Sequence, residues 1–360
     1  MKVKIENNKQ LKKLNTFGVG AGAKYFATVK NVNELKQVLQ SRQFNQSKKY
    51  MVLGGGSNVL FVKDYDGFLI KNKIKSIKVV KKTKAYTYIK FGAGEIWDNC
   101  VKYAVDLGVG GIENMAYIPG TIGGAAVQNI AAYNQNIEDA FYNLVAINRK
   151  NLVEKKFNKK DCDFTYRNSR FKKHTNNWIV VSVTLKLKNN PTVDANYYEK
   201  GLNKTSVQSE LELIAKPPYK VGDIYKAVTS LRKKRIPEVK VFPNPGSFFR
   251  NPIISKTKYL KIKNNIPNLQ FYPTKKLKYV DNTKIEREKV KVSYGQLIDL
   301  GLGLKGYIKG NVGIHPKHAA FIYTNGRASG KEVYKFSKWV KGEIYKKYKI
   351  KLQEEVKIIL

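Results

Sequence analysis

Two short glycine-rich runs constrain this chain more than any other feature. The first run reads Val52-Leu-Gly-Gly-Gly-Ser-Asn-Val-Leu-Phe61, and the second reads Ile118-Pro-Gly-Thr-Ile-Gly-Gly-Ala125. Because glycine has no Cβ, the backbone amides of such runs can approach a ligand closely. Pyrophosphate is a common ligand of such backbone. Val59 stands where a dinucleotide fingerprint has its third glycine, and neither run continues with the Lys-Ser/Thr of a P-loop. We therefore expect a phosphate-bearing cofactor in a fold that uses neither the dinucleotide fingerprint nor the P-loop. Either run alone could be a plain turn.

Size and composition are typical of a folded protein with several domains. The chain has 360 residues, which is enough for two or three domains, and 42% of them are hydrophobic. No window approaches the roughly 18 consecutive apolar residues of a membrane helix, and residues 1–9 lack the apolar stretch of a signal peptide. Two cysteines, Cys100 and Cys162, are too few for a disulfide framework. We expect a cytoplasmic monomer that does not insert into membranes.

The formal net charge of +41 raises the question of a polyanionic partner. The lysines are spread from end to end and alternate with Asn, Ile and Tyr, as codon bias would produce. No homeodomain, zinc-finger, RNA-recognition or zipper motif accompanies them. We predict no nucleic-acid partner and expect the charge to attract anionic substrates. A basic nucleic-acid-binding protein remains the alternative from a different class.

Hydrophobic periodicity predicts an α+β protein. Strands are predicted at residues 25–29, 50–53, 68–70, 86–91, 142–147 and 178–187, and helices at 33–40, 96–107, 223–234 and 331–348. Asn33 is the expected N-cap of the first helix. The polar region 188–220, with breaks at Pro191 and Pro217-Pro218, reads as a domain boundary or an insertion. A cofactor domain is expected over roughly the first 215 residues, followed by a second domain.

Three clusters carry side chains suited to chemistry. Arg167 and Arg170 lie close together in a chain where arginine is scarce, and a guanidinium binds carboxylate or phosphate bidentately. Ser247 stands between glycine and two phenylalanines, a setting that excludes water. Glu355 belongs to a Glu-Glu pair before a C-terminal apolar strand. Each cluster also has a plainer interpretation: a surface loop, a serine in a β-turn and a solvated tail. The histidines and cysteines lack metal-ligand spacing, so we expect no metal.

Eight short motifs follow one another in a fixed order from residue 15 to the C-terminus. They are Asn15-Thr-Phe-Gly18, Leu53-Gly-Gly-Gly-Ser-Asn-Val-Leu60, Gly111-Ile-Glu-Asn114, Ile118-Pro-Gly120, Gln128-Asn129, Tyr166-Arg-Asn-Ser169, Gly246-Ser-Phe-Phe249 and Leu352-Gln-Glu-Glu-Val356. This order resembles that of the UDP-N-acetylenolpyruvoylglucosamine reductase (MurB) family of bacterial cell-wall enzymes. The motifs are modest singly and specific in their order and spacing.

The resemblance implies an FAD-binding domain of the vanillyl-alcohol-oxidase (PCMH) type, made of two α/β subdomains, and a C-terminal α+β substrate-binding domain. We place the subdomains at 1–70 and 71–215, the substrate-binding domain at 216–345, and a C-terminal strand carrying the catalytic glutamate at 346–360. The implied reaction passes hydride from NADPH to FAD and then to the enolpyruvyl carbon of UDP-N-acetylglucosamine enolpyruvate. The product is UDP-N-acetylmuramate, a peptidoglycan precursor.

The same resemblance assigns roles to residues. Arg167 would stabilise an enolate, Glu355 would assist at the same group, and Ser247 would donate the proton that completes the reduction. The residues expected to bind FAD are Gly54, Gly55, Gly56, Ser57, Asn58, Val59, Ile118, Pro119, Gly120, Thr121, Gly123 and Gly124. Those expected to bind substrate are Tyr133, Tyr166, Tyr198, Arg235, Asn251 and His318, with Tyr197 as an equal alternative to Tyr198.

Some positions depart from the usual family pattern while the three catalytic positions match it. Arg235 stands where lysine is usual and His318 where glutamine is expected. Asn244-Pro245 replaces an Asn-Ala, and Gln353-Glu354 replaces a Glu-Pro. The alternative within the same fold is an FAD-dependent oxidase or dehydrogenase acting on an alcohol or hydroxy acid. Many of those enzymes attach the flavin through a histidine, and no histidine lies near either glycine run.

Overall fold

The computed structural model describes residues 2–173, 177–193, 195, 207–273 and 289–360. Its strands are β1 Ile5–Gln10, β2 Gly22–Val29, β3 Tyr50–Leu53, β4 Val59–Phe61, β5 Tyr65–Asn72, β6 Ile77–Lys82, β7 Tyr86–Gly92, β8 Ala131–Ala132, β9 Gln135–Asn136, β10 Phe141–Asn148, β11 Glu154–Asn158, β12 Trp178–Lys188, β13 Ile253–Ser255, β14 Phe271–Pro273, β15 Lys289–Val292, β16 Ile308–Lys309, β17 Val312–Ile314, β18 Ile322–Thr324 and β19 Lys357–Ile359.

Helices are interspersed among these strands. They are α1 Val32–Gln40, α2 Arg42–Gln46, α3 Trp97–Asp106, α4 Ile122–Gln128, α5 Ile137–Ala140, α6 Arg170–Lys173, α7 Val207–Glu212, α8 Val221–Arg235, α9 Lys256–Asn265, α10 Tyr294–Gln296 and α11 Gly330–Tyr348. Single 3₁₀ turns lie at Lys12–Leu14, Glu113–Met115 and Lys160–Cys162, and a π turn follows α10 at Leu297–Gly301. Every strand and helix predicted from the sequence is present, with ends shifted by up to three residues.

One local prediction was wrong. The N-cap of α1 is Asn31 rather than Asn33, because the Asn31 side chain accepts the Glu34 N–H at 2.9 Å. The Glu34 carboxylate accepts the Lys30 N–H at 2.7 Å, so the Asn31 and Glu34 side chains both bind backbone N–H groups at the helix start. Asn33 lies inside the first turn.

The first sheet carries the first glycine run. Its strand order is β1-β2-β5-β3, in which β2, β5 and β3 run parallel and β1 pairs antiparallel with β2. Helix α1 buries Leu35, Val38 and Leu39 in a core shared with Phe68 and Ile70. Strand β3 ends at Leu53, so the first glycine run leaves the carboxyl end of a parallel sheet, where ligands commonly bind.

The second sheet holds the second glycine run in place. It is antiparallel with the order β11-β10-β12-β7-β6, and its core includes residues of α3, α4, α7 and α8. Trp97, at the start of α3, is fully buried and donates its indole N–H to the Met115 carbonyl at 2.8 Å. Its backbone N–H donates to the Gly120 carbonyl at 3.0 Å. Helix α8 packs in this core although it lies beyond the boundary predicted at residue 215.

The C-terminal third is built on two small antiparallel sheets, β13-β15-β14 and β16-β17-β18, covered by α9 and α11. Its core contains Phe248 and Phe249 together with Phe17 and Leu60 from the N-terminal part of the chain. Strand β19 then pairs in parallel with β4, directly after the first glycine run. Among the described helices, none combines the length and apolarity that crossing a membrane requires.

Candidate active site

The two glycine runs meet in space. We call residues Gly54–Asn58 the first glycine loop and Ile118–Thr121 the second glycine loop. The Ser57 hydroxyl of the first loop donates to the Pro119 carbonyl of the second at 3.2 Å. A Cβ on Gly55 would lie 2.6 Å from the Gly120 Cα, which no neighbouring backbone tolerates. Glycine is therefore required because the two loops lie in direct contact.

Several amides of the paired loops are open donors. Gly56 has φ +74°, and a Cβ there would lie 2.0 Å from the Leu14 carbonyl, so only glycine allows this turn. Within the described part of the chain, the backbone N–H groups of Gly55, Gly56, Ser57 and Gly120 have no protein acceptor. Unpaired backbone donors clustered on a glycine-rich loop form an anion-binding nest. This arrangement fits the pyrophosphate of a dinucleotide such as FAD.

Not every predicted cofactor residue offers a donor to that nest. The Gly123 N–H already donates to the Ala93 carbonyl at 3.0 Å, and a Cβ on Gly123 would lie 2.8 Å from Ala93. Close packing against Ala93 explains why residue 123 is a glycine. Val59 starts β4 with its side chain in the core, and Thr121 uses its hydroxyl to cap α4.

The C-terminal segment joins the first glycine loop to Ser247. The Glu355 N–H donates to the Phe248 carbonyl at 2.9 Å, and the Asn58 side-chain amide donates to the Glu355 carbonyl at 3.3 Å. The Lys357 N–H in turn donates to the Asn58 carbonyl at 3.1 Å. The C-terminal segment thus places Glu355 between the first glycine loop and the segment that carries Ser247.

Arg167 forms an ion pair with the Glu355 side chain. Its Nε atom lies 3.2 Å from Glu355 Oε1, and the two side chains are 22% and 18% exposed. Its Nη2 donates to the Ala131 carbonyl at 3.0 Å. The Nε–H is buried and not directed at the carboxylate oxygen, so it is a donor without an acceptor among the described residues. Arg167 has φ +55°, an unfavourable conformation for a non-glycine residue and a common one at functional sites.

Ser247 presents an exposed hydroxyl beside a buried phenol. Its hydroxyl hydrogen-bonds that of Tyr294, whose pKa is raised by burial. The Tyr294 hydroxyl donates to the Ala320 carbonyl at 2.7 Å and accepts the Phe249 N–H at 3.3 Å. Ser247 is therefore exposed at the site, and the hydrogen bonds of Tyr294 fix the backbone next to it.

Cations outnumber Glu355 at this site. Burial lowers the pKa of Lys172 to about 8, and Arg250 contributes next, whereas Glu355 opposes the shift. Burial, with the Arg167 charge contributing next and Glu355 opposing, lowers the pKa of Lys291 to about 8. The Arg250 Nε–H is also buried without an acceptor in the described part of the chain. One carboxylate therefore faces several desolvated cations, which leaves a net positive site for an anionic substrate.

The predicted substrate residues fall into two groups around this centre. Tyr166 lies beside Lys291, whose Nζ is 5.1 Å from the ring centroid, and its hydroxyl accepts the Asn251 backbone N–H. The Asn251 side chain accepts the Tyr294 N–H at 3.1 Å. Tyr198, with its alternative Tyr197, lies outside the described residues.

The second group surrounds the end of helix α8. The Arg232 side chain hydrogen-bonds the Tyr133 hydroxyl and donates to the Tyr117 carbonyl at 3.3 Å, next to the second glycine loop. Burial lowers the pKa of His318 to about 4, and the Arg235 charge contributes next, so this imidazole is neutral at pH 7. His318 Nδ1 accepts the Ala320 N–H at 3.2 Å. Tyr133, Arg235 and His318 thus share one region with Arg232.

Five of these residues were missed from the sequence: Lys172, Arg232, Arg250, Lys291 and Tyr294. A signal existed for the arginines, because the chain has 9 arginines against 59 lysines, which together make its 68 basic residues. Arg232 is also three residues before Arg235 on α8, a spacing that puts both on one helix face. The lysines and Tyr294 carry no such signal.

Comparison with known proteins identifies relatives over the whole chain. A family model described as "FAD binding domain" matches residues 23–147, and one described as "UDP-N-acetylenolpyruvoylglucosamine reductase, C-terminal domain" matches residues 237–359. A UDP-N-acetylenolpyruvoylglucosamine reductase of Flavobacterium johnsoniae is 35% identical, over 99% of this chain and 100% of its own length. That of Amoebophilus asiaticus is 34% identical, over 99% of both chains.

A solved structure supports the fold independently. The crystal structure of the reductase (MurB) from Thermus caldophilus covers 100% of both chains with a TM-score of 0.65 at 23% identity. Together with the FAD-binding match, this confirms the predicted fold class, an FAD-binding domain followed by an α+β C-terminal domain.

Proposed function

Because the chain belongs to the UDP-N-acetylenolpyruvoylglucosamine reductase family, we propose that Arg167, Glu355 and Ser247 carry out that family's reduction here. The protein is an NADPH-dependent flavoenzyme that converts UDP-N-acetylglucosamine enolpyruvate to UDP-N-acetylmuramate in peptidoglycan precursor synthesis. The observation that carries the proposal is the convergence of the Arg167–Glu355 pair and Ser247 beside the first glycine loop.

The two glycine loops would hold the FAD pyrophosphate through their open amides. The chemistry that bound FAD would supply is the relay of a hydride from NADPH to the terminal carbon of the enolpyruvyl group. The residues of this chain must then handle the negative charge left on the neighbouring carbon and its carboxylate. They must also supply one proton, so that hydride and proton together saturate the double bond.

Arg167 is placed to stabilise that charge. Its guanidinium charge suits a carboxylate that gains electron density. Glu355 holds the guanidinium from one side and the Ala131 carbonyl holds it from the other, so the donor needs no reorganisation as charge develops. Lys172 and Lys291 add positive charge in a partly desolvated setting where it acts strongly.

Ser247 supplies the proton. A serine hydroxyl is a weak acid in water, so it acts only against a strongly basic carbon within hydrogen-bond reach. Phe248 and Phe249 are buried behind it, whereas Ser247 itself is exposed, so the water-excluding setting expected from the sequence would have to come from bound substrate and cofactor. The Tyr294 hydroxyl hydrogen-bonds the Ser247 hydroxyl and orients it.

The diphosphate sugar lies, on this proposal, against the second group of residues. Arg232 and Arg235 provide charge and Tyr133 and His318 provide hydrogen-bonding groups near the second glycine loop. Two buried free cysteines suit a reducing cytoplasm, where we place the enzyme as a monomer.

The substitution Ser247→Ala tests the assignment. NADPH should still bleach the bound flavin at close to the wild-type rate, whereas reoxidation by the enolpyruvyl substrate should nearly cease. Ser47→Ala, at a serine that donates to its own helix at Gln43, serves as the matched control and should change neither rate. Reoxidation of Ser247→Ala at a near wild-type rate would rule out Ser247 as the proton donor.

A further inference from the structure

Lys71 lies beneath the first glycine loop without a part in the site described above. It is the seventh residue of β5, and its Cα partner on β3 is Leu53, the residue before the loop. Side chains alternate along a strand, so Lys71 projects on the same side as Leu69, which packs with Leu53 and Val59. The loop starts directly after Leu53 and ends at Val59, and both residues belong to that cluster.

The Lys71 ammonium donates a hydrogen bond to the Gly54 carbonyl. In a planar trans peptide the carbonyl and the following N–H point in opposite directions. With the Gly54 carbonyl held by Lys71, the Gly55 N–H points away from the sheet. Gly55 is the exposed residue of the loop, and its N–H is among the open donors described above. A Gly-Gly peptide turns over easily, so this contact selects the orientation that an anion needs.

The charge on Lys71 lacks an acidic counterpart. Burial and, second, the nearby Lys73 ammonium together lower the pKa of Lys71 to about 8, with no carboxylate among the described residues opposing the shift. Below that pH the group is a partly buried, uncompensated cation directly behind a phosphate-binding surface. Such a charge is costly unless an anion lies nearby, and a pyrophosphate on the loop would supply one.

We propose that Lys71 is a cofactor-binding residue, which supplies positive charge to the FAD pyrophosphate from beneath the loop while it orients the Gly54–Gly55 peptide. This inference rests on the proposed function, since it takes FAD as the molecule on the loop. Lys71 contacts the loop backbone and acts on the cofactor through charge and peptide orientation. Its effect should therefore appear in cofactor affinity.

The test measures the affinity of flavin-free protein for FAD by quenching of FAD fluorescence. Lys71→Gln keeps a donor for the Gly54 carbonyl and removes the charge, whereas Lys71→Met removes both. We expect both variants to raise the Kd for FAD about tenfold or more, since a charge-assisted contact is lost. Lys71→Arg should retain most of the wild-type affinity. Lys73→Met removes an exposed charge two residues away and should leave the Kd unchanged.

The outcomes separate this inference from the proposed function. A Kd for Lys71→Gln within twofold of wild type and of Lys73→Met would overturn the role of the charge. A wild-type protein that does not bind FAD would instead contradict the proposed function. If Lys71→Met does not fold, as judged by circular dichroism, Lys71→Gln and Lys71→Arg still decide the question.

Discussion

Replacing Arg167 by lysine keeps the positive charge at the centre of the site and removes the guanidinium fork. In the structure, Nη2 donates to the Ala131 carbonyl at 3.0 Å, and the buried Nε lies 3.2 Å from Glu355 Oε1. A lysine has a single nitrogen, which cannot satisfy Ala131 and Glu355 and also present a directed donor to a substrate carboxylate.

The expected loss follows from that missing donor. Removing one preorganised donor from a site where negative charge develops costs about 2.7–4 kcal/mol of transition-state stabilisation, or roughly 10²–10³ in rate. Arg167→Lys should therefore slow substrate-dependent reoxidation of the reduced enzyme by about that factor. Reduction of the enzyme by NADPH should change only a few-fold, because no charge develops on the enolpyruvyl group in that half-reaction.

Anaerobic stopped-flow absorbance separates the two half-reactions. Arg170→Lys is the matched control, since Arg170 is exposed and lies over the Phe157 ring at 6.0 Å, and it should leave both rates unchanged. If Arg167→Lys were reoxidised by substrate within threefold of the wild-type rate, charge stabilisation by the Arg167 fork would be refuted.

Three further predictions follow from the same geometry. Lys172 and Lys291 have pKa values lowered to about 8, so they are charged below that pH, and KM for the anionic substrate should rise about tenfold per required lysine between pH 7 and 9. Gly55→Ala should yield protein with little bound flavin, because its Cβ would lie 2.6 Å from the Gly120 Cα and force the loops apart. Tyr294→Phe should lose about 1–3 kcal/mol of unfolding free energy in urea, because two buried backbone groups lose their hydroxyl partner, and should slow substrate-dependent reoxidation.

Each of these predictions has an outcome that would contradict it. A flat KM profile to pH 9 would show that neither lysine needs its proton. Gly342→Ala, at a position in α11 with open space around the new methyl group, should keep its flavin, and equal flavin content in Gly55→Ala would argue against loop contact as the reason for glycine. Unchanged urea stability in Tyr294→Phe would mean that its hydroxyl bonds contribute nothing.

Local features of this fold were accessible from the sequence because they depend on neighbours in the chain. Strand β3 and helix α11 have unmistakable apolar periodicity, and their ends were predicted within one residue. The N-cap of α1 was misplaced because Asn31 and Asn33 are equivalent by residue type, and only the Glu34 contact distinguishes them.

The site was partly accessible for a different reason. Arg167, Ser247 and Glu355 were identified through motif order, but their distances depend on how β19 pairs with β4 at the other end of the chain. Lys71 and Lys291 are two among 59 lysines, and only tertiary burial sets them apart.

A single anaerobic turnover of the purified protein tests whether it reduces the enolpyruvyl sugar nucleotide through a bound flavin. We expect a yellow protein that NADPH bleaches and that one equivalent of UDP-N-acetylglucosamine enolpyruvate restores to its oxidised spectrum, with one equivalent of UDP-N-acetylmuramate formed. A protein that binds no flavin, or whose reduced form is reoxidised by oxygen and not by the enolpyruvyl sugar nucleotide, would contradict it.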